Sequence, residues 1–131
     1  MDGHQKSNLD LHLRATAAVL KGMHGPSAER RSRSRIEADI WAMVGVDYYR
    51  VNPTSKTHKT GFNMVKFAFD LAELIAVDGR RHSLPAYEKA ISLGHSPAEA
   101  VVGLLGQLYL PHQTKSVASL ADLIRSRRSN L

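Results

Sequence analysis

The sequence predicts an all-α protein: a single compact domain of five or six helices packed around a central apolar helix at residues 62–78. Three observations carry this. The run FNMVKFAFDLAELIAV, Phe62 to Val77, is the most apolar in the chain, and at 100° per residue Lys66, Asp70 and Glu73 fall with Val77 in one narrow stripe. The flanking segments repeat apolar residues at helical spacing between glycine and proline breaks, and no stretch alternates with the period of a strand. A helix apolar over most of its circumference, yet too short and too charged to cross a bilayer, belongs at the centre of a helical domain.

Residues 1–8 hold no apolar repeat and are expected to form a flexible N-terminus, with the helical domain at 9–128 and a tail at 129–131. Asn8 suits the cap of a first helix bearing Leu9, Leu13, Thr16, Ala17 and Leu20 on one face, and Gly22 with His24 to Ser27 is expected to end it. Ser27 is a candidate cap for a second helix. Its stripe is Ile36, Ile40, Met43 and Val44, and it is expected to end near Val46 or Tyr49.

From Arg50 the text VNPTSKTHKTG reads as a loop. Gly79 is expected to stop the central helix, with Arg80, Arg81 and His82 beside its exposed carbonyls. Pro85 suits the first turn of a fourth helix in which Tyr87, Ala90 and Ile91 face inward. Ser96-Pro97-Ala98-Glu99 is a capping box opening a fifth helix, which buries Val101, Leu104, Leu105 and Leu108 and leaves Gly103 and Gly106 open to another backbone. Ser116 or a neighbour caps a last helix with Val117, Leu120, Ala121 and Ile124 inward and a basic end at Arg125, Arg127 and Arg128.

Composition narrows the function classes. The absence of cysteine excludes thiolate chemistry and disulfides and fits a reducing compartment, and the N-terminus lacks the pattern of a secretory signal, so a cytoplasmic protein without membrane attachment is expected. Eighteen Lys and Arg against twelve Asp and Glu give a formal charge of +6, which points toward a polyanionic partner. The seven histidines include no pair at i, i+4 with a neighbouring carboxylate, so no metal is expected. TSKTHKTG lacks the spaced glycines of a P-loop, and Asp78 with His82, which could meet across a turn, have no third group. No cofactor and no catalytic residue are expected.

The strongest functional signal is Arg30-Arg31-Ser32-Arg33-Ser34-Arg35. Arginines near a helix N-terminus oppose the helix dipole, whereas phosphate would offset them through bidentate contacts. Arg33 and Arg35 have carboxylates four residues away at Glu37 and Asp39; Arg30 and Arg31 have none at that spacing. Lys56 and Lys59 lie in an interval without acidic residues, and with Arg80 and Arg81 they are expected to extend a positive surface. Aromatic residues do not alternate with basic ones, which favours duplex DNA over RNA or single strands.

AISLGHSPAEAV resembles the turn of a helix-turn-helix, with Ala90, Gly94 and Ser96 at its alanine, glycine and cap positions, and LGHSPAEA is similar to part of the three-helix modules of the ubiquitin-associated type. The first likeness implies DNA contact and the second a protein partner. His95, Ala100 and Gly103 depart from the helix-turn-helix pattern, and a plain capped corner accounts for the same letters.

Two function classes follow. One is a small nucleic-acid-binding regulatory or accessory protein that contacts the DNA backbone through Arg30, Arg31, Arg33, Arg35, Lys56, Lys59, Arg80 and Arg81. The other is a protein-interaction module, an adaptor, an inhibitor of a nucleic-acid-processing complex or a homodimer, with Trp41, Tyr48 and Tyr49 as interface anchors.

Overall fold

The computed structural model describes residues 3–52 and 58–129, with the side chains of 8–52 and 63–128. Among these residues the chain forms six α-helices and no strand: α1 Gly3–His24, α2 Arg33–Val51, α3 His58–Gly79, α4 Ser83–Ser92, α5 Pro97–Leu108 and α6 Val117–Ser129. Short 3-10 turns lie at Ser27–Glu29, Arg80–His82 and Pro111–Gln113. No described helix is long and apolar enough to cross a membrane.

The apolar helix α3 lies in the core as its composition requires, burying Met64, Val65, Ala68, Phe69, Leu71, Ala72 and Ile75. Its Lys66–Val77 stripe is the side turned to solvent or to ion pairs, and Val77 is 62% exposed. The centre is shared with α1, which packs against each of the other five helices. Leu11, Leu13, Ala15, Thr16, Ala17, Val19 and Leu20 are all buried, far more of the circumference than one amphipathic stripe. Thr16 is tolerated there because its hydroxyl donates to the His12 carbonyl at 2.7 Å.

Several boundaries differ from expectation, each for a local reason. The first helix starts at Gly3, and Asn8 is an interior residue: its side-chain oxygen accepts from Asn52 at the end of α2 at 2.9 Å, tying the two helices together. Helix α1 also runs through Gly22 to His24. A Cβ at Gly22 would lie 2.7 Å from Ile36 Cγ1, so this glycine admits α2 against α1 and is no terminator. Ser27 opens only a 3-10 turn; α2 is capped by Ser32, whose Oγ accepts from the Arg35 amide at 3.3 Å. Within α2, Tyr48 joins Ile36, Ile40 and Val44 on the buried stripe, while Met43 is 40% exposed. Likewise Ile91 of α4 lies at the surface. Helix α3 begins at His58, one turn earlier than the loop reading placed it.

His12 supplies a pH test of this core. It is partly buried, meets Phe67 edge-on with ring centroids 5.0 Å apart, and donates through Nδ1 to the Asn8 carbonyl at 2.7 Å. Burial lowers its pKa, against the opposing effect of that hydrogen bond. The unfolded chain therefore binds more protons than the folded one below about pH 6.5, the usual imidazole value, and stability falls as pH drops through that value toward the lower folded pKa. Thermal melts from pH 8 to 5.5 should show this loss. His12→Asn, which can keep the bond to Asn8 without titrating, should flatten it; an unchanged profile would place the acid sensitivity elsewhere.

Candidate nucleic-acid interface

The arginine tract is divided by the fold. Arg33 and Arg35 lie in the first turn of α2 and reach Glu37 and Asp39 at 3.6 Å each, the pairings that their spacing implies. The Arg33 guanidinium also covers the Phe69 ring, 4.0 Å from its centroid. Arg31 precedes the helix, and its amide donates to the Gly22 carbonyl at 3.0 Å. That bend returns its side chain to Asp39 at 3.0 Å, so Arg31 has a carboxylate partner that sequence spacing did not reveal. All three pairs are exposed at the surface, where an ion pair is worth about 0–1 kcal/mol and yields to a competing phosphate.

The basic end of α6 is neutralised within the fold. Arg128 pairs with Asp70, and Arg127 pairs with Asp78. Asp78 is largely buried and also accepts the Tyr109 hydroxyl at 2.6 Å; burial and then this contact raise the Tyr109 pKa well above the usual phenol value. Asp78 thus joins the end of α3 to α5 and α6, and the meeting with His82 considered from sequence is replaced by these contacts.

Arg30, Arg80 and Arg81 behave differently. None has a carboxylate within 4 Å among the described residues, and the one hydrogen bond of the Arg30 side chain runs from Nε to the Gly25 carbonyl at 3.2 Å. All three line one cleft of about 580 Å3 between the end of α1 and the start of α4, together with Leu20, Met23, His24, Ala76, Leu84 and Glu88. Burial holds His24 below the usual imidazole value, with Glu73 opposing and Arg30 reinforcing, so it adds no full charge at neutral pH. A wider groove of about 850 Å3 adjoins across Gly25 and Pro26, but its cations Arg14, Lys21, Arg30 and Arg31 face Glu29, Asp39 and Glu88. The smaller cleft therefore has the larger positive surplus.

The backbone at this cleft is unusual. Gly79 ends α3 as expected, but at φ −82° and not in the left-handed conformation. Arg80 takes it instead, at φ 51°. Gly79 serves contact: a Cβ there would lie 2.5 Å from Ser83 Oγ, and Ser83, buried, donates to the carbonyls of Ile75 and Arg80. The left-handed conformation costs a residue with a Cβ about 1–2 kcal/mol.

Of the other expected contacts, Lys56 and the Lys59 side chain lie outside the described residues. Tyr48 is 2% exposed and belongs to the core, where Trp41 and Tyr49 surround it. Trp41 stacks on Tyr49 at 6.1 Å, and both reach the surface. The corner at Gly94, with φ 94°, and the Ser96–Glu99 capping box form as expected. The helix-turn-helix likeness stops there, because α5 carries no Lys or Arg to read a groove. Among the described residues no cluster of three or more His, Asp or Glu could hold a metal ion. His24 and Glu88, missed in the sequence, belong to the cleft only through the packing of α1 against α4.

Compared with protein-family models, characterised proteins and solved structures, the chain has no significant match.

Proposed function

We propose that this protein binds nucleic acid through its phosphate backbone, duplex DNA in preference to RNA, as a regulatory or accessory protein without a reaction of its own. One observation carries the reading: Arg30, Arg80 and Arg81, from segments far apart in the chain, stand around one cleft without a carboxylate partner among the described residues, while the arginines at 31, 33, 35, 127 and 128 are ion-paired. Guanidinium groups held unneutralised at a surface favour phosphate, and each contact releases condensed counterions. Arg31, Arg33 and Arg35 are a weaker reserve whose exposed pairs phosphate can displace.

Binding to a mixed-sequence duplex should therefore be measurable at low salt. The logarithm of its affinity should fall against log salt by about 0.9 for each phosphate neutralised, with little dependence on base sequence. Absence of retention at about 20 mM salt, where this electrostatic binding is strongest, would sink this function.

The alternative, a protein-interaction module, draws on the outer face of α2. Ala38, Trp41, Ala42, Gly45, Val46 and Tyr49 share it without a charged residue among them, and Val46 is 86% exposed. A stoichiometric partner that survives nuclease treatment and is lost on Trp41→Ala would favour that class.

A further inference from the structure

The arginine cleft has a shape that contact with a duplex backbone does not require. Duplex phosphates lie along an outer ridge, and a flat basic patch serves them. Here the guanidinium groups stand instead around a concave space of about 580 Å3, within the range of pockets that enclose one small ligand. One part of the lining is apolar, formed by Leu20, Met23, Ala76 and Leu84. Among the described lining residues three arginines stand against one carboxylate, Glu88, which leaves two positive charges in surplus. A phosphodiester carries one negative charge, whereas a phosphate monoester carries about 1.5 to 2 near neutral pH. The charge surplus thus matches a terminal phosphate better than a phosphodiester, and the half-open cleft has room for the group that carries it.

Arg80 adds an independent indication. Its left-handed φ of 51° is one that glycine would adopt at little cost, yet the position holds a long cation that lines the cleft. Residues held in such conformations cluster at active sites and ligand clamps.

We propose that the cleft binds a nucleoside phosphate monoester, with the phosphate among Arg30, Arg80 and Arg81 and the nucleoside against the Leu20, Met23 and Leu84 wall. The group is either the 5′-terminal nucleotide of a strand or a free mononucleotide. This rests on the arginine cluster being a phosphate site, the reading proposed for the function, but not on duplex binding. Substrate turnover is not part of it.

The test compares labelled oligonucleotides of one sequence bearing a 5′-phosphate or a 5′-hydroxyl, with adenosine monophosphate and adenosine as competitors. The phosphorylated end should bind at least tenfold tighter, and the monophosphate, not the nucleoside, should compete. Arg80→Gly relieves the backbone strain, should melt no lower than the parent, and should abolish the tenfold difference. Equal affinity for both ends, with salt-sensitive duplex binding intact, overturns the pocket and leaves the backbone reading standing. Monophosphate binding without retention of any oligonucleotide or duplex does the reverse, supporting the pocket with a free nucleotide as its ligand. A tenfold preference that persists in Arg80→Gly removes the site from this cleft.

Discussion

Alanine at Arg30, Arg80 and Arg81 together should lower duplex affinity roughly ten- to a hundredfold near 0.1 M salt and flatten the log–log salt dependence by about 0.9 for each phosphate that is no longer neutralised. Exposure of these side chains places the expected loss per arginine at about 0.5–0.9 kcal/mol, in the range of exposed ion pairs and below that of buried charged hydrogen bonds. Alanine at Arg127 and Arg128 should act otherwise, because Asp78 and Asp70 already hold them: the melting temperature falls and the salt slope does not. Asp39→Asn should move binding the opposite way. It releases both Arg31 and Arg35, so affinity rises and the slope steepens. Equal losses from the paired and the unpaired arginines would mean that net charge alone governs binding, with no role for the cleft.

Gly22→Ala should destabilise the fold by about 1–3 kcal/mol, against helix propensity, which favours alanine over glycine by about 1 kcal/mol inside a helix. The new Cβ would lie 2.7 Å from Ile36 Cγ1 and 2.9 Å from Cδ1. Ile36 is 1% exposed and β-branched, so neither its rotamer nor its surroundings can easily give way. Ile36→Ala alone should cost about 2–5 kcal/mol through the cavity it leaves. In that background the clash is gone, and Gly22→Ala should become stabilising. A double-mutant cycle by urea denaturation reads the reversal of sign directly. The same cost in both backgrounds would contradict the close packing of α1 and α2 at this point.

The fold class was legible because helical periodicity is a local property. The apolar run from Phe62 and the Ser96 capping box each act within a few residues, and each stands where the pattern placed it. Glycine was an uneven guide. Gly79 ends α3 as its place implied, whereas Gly22 lies within α1 and is needed where Ile36 approaches, which depends on packing between elements. The same limit applied to the arginines. Spacing along α2 revealed Arg33–Glu37 and Arg35–Asp39 but not Arg31–Asp39, which needs the bend before the helix, or Arg127–Asp78, which needs α6 docked on α3. The cleft was invisible for the same reason, since its arginines come from separate segments that only the packing of α1, α3 and α4 brings together.

The most direct test follows the arginine Nε–Hε resonances of the whole protein by NMR while a short duplex is added at low salt. The signals of Arg30, Arg80 and Arg81 should shift and saturate together, with Arg127 and Arg128 nearly unmoved. Shifts spread evenly over all the arginines, or confined to those outside the cleft, would contradict the placement of phosphate there.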